Sequence, residues 1–121
     1  MLLAGAFDPP WVRDLARELK AEEGDVRLLL RKLARLGQLH QVVKDLFYPE
    51  ETLQQLASHA LQLRDDAGII RAAAFRDRIG IGRKRCIQLL EYFDRIGFTR
   101  RFGNERRIRA DSALAQVSGS G

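Results

Sequence analysis

The sequence has few of the residues on which disulfide-linked proteins and metal enzymes depend. Its 121 residues include one cysteine, which excludes an internal disulfide and fits a reducing compartment. The two histidines, His40 and His59, have no acid or cysteine at metal-ligand spacing, so no metal site is predicted. Cys86 occupies an apolar helical position and is expected in the core.

Long hydrophobic runs and enzyme signatures are also missing. No apolar run approaches the ~18 residues of a membrane span, and the N-terminus lacks the basic flank of a signal peptide, so no membrane partner is expected. The P-loop, nucleophile-elbow and HExxH patterns do not occur. Asp65 and Asp66 are adjacent acids, but they follow a predicted helix with no histidine nearby. We therefore predict no catalytic residue, no cofactor and no enzyme activity.

The sequence does contain an internal repeat. A shift of 60 positions aligns the two halves without a gap and places apolar residues on apolar residues. The aligned pairs are Leu15 with Phe75, Leu19 with Ile79, Val26 with Cys86, Leu29 with Leu89, Leu30 with Leu90, Leu33 with Phe93 and Leu36 with Ile96. The aligned apolar positions are expected in the core of each half, and the repeat predicts two domains, over residues 1–48 and 49–117. Residues 118–121 have linker composition and are expected to be disordered.

Each half shows the pattern of two helices followed by a β-hairpin. The helices are predicted over residues 11–20, 23–36, 72–79 and 83–96, and the hairpins over 38–48 and 98–109. Gly37 and Gly97 are predicted to end the second and fourth of these helices. A further helix over 49–64 and a short strand at Ile69-Ile70 precede the second pair. We therefore expect an α+β, mainly α fold of two tandem winged-helix domains, each a small helical bundle with a β-hairpin wing. The counterpart of the 49–64 helix falls before Met1, so the first helix is expected to be largely truncated in a C-terminal fragment of a longer protein.

Charge distinguishes the two halves. Residues 1–60 carry eight Lys/Arg and nine Asp/Glu, whereas residues 61–121 carry thirteen and seven, within a net charge of +5. An excess of cations favours a polyanionic partner, because nucleic-acid affinity depends mainly on the number of phosphates neutralised. The sequence therefore predicts that nucleic acid binds to the second half.

The candidate contacts lie at a helix start and around a hairpin turn. Arg83, Lys84 and Arg85 open a helix, where exposed backbone N–H groups also favour anions. Gln88 follows on the face opposite the apolar stripe, where a groove reader contacts bases. Four arginines flank the turn at Gly103, and Glu105 is the nearest acid. The full predicted set is Arg83, Lys84, Arg85, Gln88, Arg100, Arg101, Asn104, Arg106 and Arg107.

A basic winged helix is compatible with three functions. It can bind an RNA hairpin, it can act as a DNA-binding transcriptional regulator, and its near-neutral partner domain can serve as a protein-interaction module. Paired DNA readers usually present symmetric basic helices, and this chain has one basic and one near-neutral copy. Duplex RNA closes its major groove to side chains, so RNA specificity should rest on a loop or a bulged base.

The segment from Ile81 to Arg101, with the strings IGRKR and LLEYFDRIGFTRR, resembles the last winged-helix domain of the bacterial selenocysteine-specific elongation factors. The first half resembles their preceding winged helix, and the resemblance extends to about Gln116. It implies binding of an mRNA hairpin that recodes UGA as selenocysteine. It also implies RNA contacts by residues of the helix start and wing, namely Arg83, Lys84, Arg85, Arg100, Arg101 and Arg106.

The same resemblance implies further partners for a full-length factor. Such a factor also binds selenocysteinyl-tRNA, GTP and the ribosome, and its GTPase part is not present in this chain. We expect the chain to be a monomer and its location to be cytoplasmic.

Overall fold

The computed structural model describes residues 7–103, 105–109, 111–112 and 114–115. Its elements, in chain order, are α1 (Val12–Leu19), α2 (Glu23–Arg35), β1 (Leu39–Val43), β2 (Leu46–Pro49), α3 (Glu50–Leu63), β3 (Ile69–Arg71), α4 (Ala72–Ile79), α5 (Arg83–Arg95), β4 (Thr99–Phe102) and β5 (Glu105–Ile108). This order confirms the predicted α+β, mainly α fold with a hairpin after each pair of helices.

The chain divides into two compact units, Met1–Leu53 and Gln54–Gly121. This division falls within α3, whereas the sequence placed it after residue 48, and the domain bounds stay a prediction. The truncated helix expected to end near Ala4 and the disordered tail expected at 118–121 both lie outside the described residues.

The first unit packs α1 and α2 against the β1–β2 hairpin. Its core is an apolar cluster from all of these elements: Val12, Leu15, Ala16, Val26, Leu30, Leu39 and Phe47. Arg27 of α2 holds the hairpin turn, because its Nε and Nη2 donate to the two carboxylate oxygens of Asp45 at 2.8 and 3.0 Å. These hydrogen bonds lower the pKa of Asp45. Asp45 itself has a positive φ of 62°, as a tight hairpin turn requires.

Several leucines expected in this core are instead exposed. Leu19, Leu29 and Leu36 are 48%, 54% and 66% exposed, so their predicted burial is wrong. Ile96, the repeat partner of Leu36 in the second unit, is 44% exposed, so its predicted burial is wrong as well. Leu19 and Leu36 lie where a helix ends, beyond the stripe that faces the core. Leu29 differs from its repeat partner Leu89, which is fully buried. Among the described residues, α2 packs mainly on α1 and β1, and these elements cover the side of Val26 and Leu30.

The helices α2 and α5 end in the same hydrogen-bonded motif. Gly37 and Gly97, one repeat apart, have φ values of 80° and 82°. After α5, the N–H of Gly97 donates to Asp94 O at 3.2 Å and the N–H of Phe98 donates to Phe93 O at 3.0 Å. This is the Schellman arrangement, which needs a residue that tolerates the left-handed region. The predicted role of both glycines as helix stops is confirmed.

The second unit has a three-stranded antiparallel sheet in the order β3-β5-β4. Phe93 of α5 is central to its core, with ring centroids 6.2 Å from Phe75 and 4.9 Å from Phe98, both in edge-to-face geometry. Asp65 forms the turn before β3, because its Oδ1 accepts the N–H groups of Ala67 and Ile69. These bonds lower the pKa of Asp65, which gives this acid a structural role.

None of the helices among the described residues is both long and apolar enough to cross a membrane.

Candidate nucleic-acid interface

The start of α5 presents cations and the first backbone N–H groups of a helix on one surface. Gly82 is the N-cap, with φ −67° and ψ 159°, and provides no side-chain cap. The first turn contains no acid, Arg83 and Lys84 are exposed, and Arg85 is half-buried. The first N–H groups of a helix have no intrahelical acceptor, and the helix dipole makes this end positive. Cations placed here are repelled by the positive end of the dipole. An anion bound at this end therefore stabilises both the cationic side chains and the helix N-terminus.

The equivalent helix start in the first unit has the opposite charge. α2 begins at Glu23, one repeat before Arg83, and its first turn contains Glu23 and Asp25. These acids complement the dipole at an N-terminus and repel a phosphate. Two helices of equal length and equivalent position therefore differ in the anion affinity of their N-termini.

A cavity of about 230 Å³ adjoins the basic helix start. Its lining combines apolar side chains of α4 and α5 with two arginines, and consists of Ala72, Ala73, Arg76, Arg83, Cys86 and Ile87. Cys86 itself is 2% exposed, which confirms its predicted core location. Its Sγ lies 3.6 Å from Ala72 O, and burial raises the pKa of the thiol. The cavity therefore has an apolar wall at the base of a cationic surface.

The hairpin of β4 and β5 provides a second group of cations. Arg100, Arg101 and Arg107 are exposed. Arg101 Nε donates to Gly103 O at 2.9 Å, and Arg107 Nε donates to Ala67 O at 3.2 Å. Because these acceptors are neutral carbonyls, neither hydrogen bond places a carboxylate against the guanidinium group.

Arg106 differs from the other arginines of the hairpin. It is 5% exposed, and its Nε donates to Asp94 Oδ2 at 3.1 Å. Asp94 Oδ1 accepts the hydroxyl of buried Thr99 at 2.5 Å. Arg106 was predicted as an RNA contact, a role that this burial does not favour. Strand alternation explains the burial, since Arg106 lies on the face of the sheet that packs on α5.

The remaining predicted contacts have different surroundings. Gln88 is half-buried, and its Oε1 is buried without a hydrogen-bond partner among the described residues. Asn104 lies outside the described residues, so its role stays a prediction. Glu105 belongs to β5 rather than to the turn, and it pairs with Arg71 at 3.1 Å. It therefore does not neutralise the arginines around it.

Sequence reasoning did not select two residues that the structure brings to this region. Asp94 anchors the hairpin to α5 through Thr99 and Arg106. Phe102, at the end of β4, is 53% exposed, and the Cζ of Arg100 lies 5.4 Å from its ring centroid. An aromatic residue at a strand end within an arginine-rich hairpin was the available signal for Phe102. Nothing in the sequence pattern indicated the partners of Asp94.

No group of three potential metal ligands occurs in the part of the chain that the structure describes.

Two family models match the chain. Residues 62–108 match "Elongation factor SelB, winged helix", and residues 4–48 match "Selenocysteine-specific elongation factor, winged helix domain". The chain is 48% identical over 102 residues to the selenocysteine-specific elongation factor of Escherichia coli (strain K12), and 41% identical over 99 residues to that of Haemophilus influenzae. These alignments cover 84% and 82% of this chain but only 17% and 16% of the relatives' length.

Two solved structures resemble the fold. One is the mRNA-binding domain of elongation factor SelB from E. coli in complex with SECIS RNA, with a TM-score of 0.80 and 44% identity. That similarity covers 89% of this chain and 93% of the solved one. The other is a bacterial selenocysteine-specific elongation factor, with a TM-score of 0.63, 27% identity, and coverage of 81% of this chain and 18% of that one.

Proposed function

Because this chain belongs to the SelB family of selenocysteine-specific elongation factors, we propose that its second unit binds an mRNA stem-loop, the selenocysteine insertion hairpin. The observation that carries the proposal is the similarity of the whole fold to an mRNA-binding domain solved with SECIS RNA. The basic helix start and the arginines of the β4–β5 hairpin supply the cations that such a partner requires. The similarity is to an RNA-binding factor, which favours RNA over the alternative of a DNA-binding regulator.

The geometry suggests how the two groups of cations divide their roles. Arg100, Arg101 and Arg107 lie on a strand pair with fixed register and contact phosphates, which positions the hairpin without reading its sequence. Arg83 lines the cavity beside Cys86, and Lys84 follows it in the first turn of α5, so the two can hold a phosphate while an unpaired base enters the apolar space. Since side chains cannot read the major groove of duplex RNA, this unpaired base supplies specificity.

The acidic start of α2 supports a different role for the first unit. Glu23 and Asp25 repel phosphate at the position where Arg83 and Arg85 attract it. We therefore propose that the first unit contributes little RNA affinity. In the full-length factor, which the chain represents only in part, the GTPase part, selenocysteinyl-tRNA and the ribosome act in the cytoplasm together with this RNA-binding end, and UGA is recoded as selenocysteine.

The experiment is a titration of the full chain with a labelled SECIS hairpin and with DNA of the same sequence, over a series of salt concentrations. We expect tighter binding to RNA, with log K falling against log salt at a slope of about −3 to −5 for four to six phosphates. Lys84→Ala should reduce the magnitude of this slope by roughly 0.7–0.9 and weaken binding.

Lys32→Ala is the matched control, because Lys32 is an exposed lysine on α2 of the first unit. It should leave the affinity unchanged. Equal affinity for RNA and DNA, or a flat salt dependence, would reject hairpin recognition by this surface.

A further inference from the structure

The pairing register places a mixed basic and aromatic set of side chains on one face of the second sheet. Arg100 pairs with Arg107, and Phe102 pairs with Glu105, while β3 pairs with the other edge of β5. Because side chains alternate along strands, the face opposite buried Ile70 and Ile108 is formed by the side chains of Ile69, Arg71, Arg100, Phe102, Glu105 and Arg107. We call this the outer face. The helices of the unit pack on the other side, where Arg106 meets Asp94.

Phe102 is the most exposed large hydrophobic residue of the described second unit, at 53%. A single exposed apolar side chain is ordinary, but this ring has two further features. Arg100 lies over it, with Cζ at 5.4 Å from the centroid. The ring also lines a hollow of about 280 Å³ together with Ile69, Glu105, Arg106 and Arg107. A flat apolar ring beside an open hollow is a surface on which a planar group can stack.

The charges of the outer face identify the kind of planar group. Arg100 and Arg107 are cross-strand neighbours, and like charges directly opposite each other are destabilising. The acid of this face, Glu105, is already paired with Arg71 at 3.1 Å. An anion bound between Arg100 and Arg107 therefore relieves a repulsion. A planar base attached to a phosphate can stack on the Phe102 ring and also place an anion between the two arginines. An apolar protein segment can only pack on the ring.

We propose that the outer face extends the RNA interface, and that Phe102 stacks an unpaired base beside the phosphates that Arg100 and Arg107 contact. The ligand is a single-stranded segment that flanks the hairpin, because base–aromatic stacking requires a base that is free of its duplex. This proposal rests on the proposed hairpin function, and it adds a contact on the side of the sheet opposite α5.

The experiment compares two RNA probes with the full chain: a SECIS hairpin with short uridine tails at both ends, and the same hairpin without tails. Wild type should bind the tailed probe roughly 5- to 100-fold more tightly, the range expected for one stacked base. Phe102→Leu keeps an apolar side chain but removes the ring, and it should abolish this gain. Phe102→Tyr keeps the ring and should preserve it.

Two further measurements separate stacking from other effects of the substitution. Phe102→Leu should leave the salt slope unchanged, since no phosphate contact is lost, whereas Arg100→Ala should reduce it by roughly 0.7–0.9. Ile96→Ala is the matched control, because Ile96 is also exposed in this unit but lies at the end of α5. It should preserve the gain.

Equal affinity of wild type and Phe102→Leu for the tailed hairpin, with Lys84→Ala still weakened, would overturn the stacking site and leave hairpin binding intact. If wild type fails to prefer SECIS RNA over DNA, hairpin recognition fails separately. The stacking site is then tested by measuring the affinity for a uridine oligonucleotide alone, which Phe102→Leu should bind more weakly than wild type. An unchanged affinity there would also overturn it.

Discussion

Replacing Arg106 tests whether this residue supports the interface or contacts RNA. The Arg106 side chain is 6% exposed and donates a hydrogen bond to Asp94. The Asp94 side chain is 23% exposed and also accepts a hydrogen bond from the Thr99 hydroxyl. Removing one partner of a buried ion pair costs about 3–5 kcal/mol, and a charge-assisted hydrogen bond contributes about 1.5–3 kcal/mol. Because water reaches Asp94 in part, we expect Arg106→Met, which preserves much of the aliphatic stem, to lower the free energy of unfolding by about 2–3 kcal/mol.

The assay is thermal unfolding of the full chain by circular dichroism, combined with hydrogen exchange of amides in the second unit. Tryptophan fluorescence does not serve, because the single tryptophan, Trp11, lies in the first unit. A loss of 2–3 kcal/mol corresponds to a fall in Tm of roughly 10–20 °C for a domain of this size. The exchange data should assign this loss to the second unit.

A double-mutant cycle with Asp94→Asn provides the control. Because the two side chains contact each other, the double variant should lose less than the sum of the single variants, by about 1–3 kcal/mol. At a temperature where Arg106→Met is folded, its salt slope for SECIS RNA should equal that of wild type. Unchanged stability together with a slope reduced by roughly 0.7–0.9 would refute the structural role and make Arg106 a phosphate contact.

Two further predictions follow from the pKa directions. The hydrogen bonds with Arg27 lower the pKa of Asp45 from an ordinary 3.8. The stability that this pair adds to the fold is therefore complete above pH 3.8 and is lost as pH falls through the lower folded pKa. Urea unfolding of the first unit should show this acid-dependent loss in wild type and not in Asp45→Asn, and parallel pH profiles would disprove it. Cys86 is buried and its pKa is raised. Iodoacetamide should therefore alkylate the native chain far more slowly than the urea-unfolded chain. Similar alkylation rates would show that the thiol is accessible in the native chain.

The repeat shows how far sequence patterns predicted the fold. Apolar spacing located the helices α1 to α5 of the described residues to within a few residues, and the glycines at 37 and 97 marked the ends of two of them. These features are local, because helix periodicity and a left-handed stop depend on residues a few positions apart. The same patterns mispredicted Leu29, whose exposure depends on which elements pack over α2.

The charge pattern likewise predicted which unit carries the excess of cations but not which arginines are exposed. The excess of cations after residue 60 and the basic start of α5 are properties of the sequence, and the resemblance to a family is carried by contiguous residues. The neighbours Arg106 and Arg107 are chemically identical and adjacent, yet one is buried against Asp94 and the other is exposed.

The sequence by itself therefore determined the two-unit organisation, the helices and the location of the positive charge, because each depends on residue order and composition. Only the tertiary structure decided which side of the second sheet packs on α5. That choice buries Arg106 as the anchor of the hairpin and leaves Phe102 beside Arg100 on the outer face. The physical reason is that strand alternation specifies two opposite faces, while the packing of distant elements selects the one that is buried.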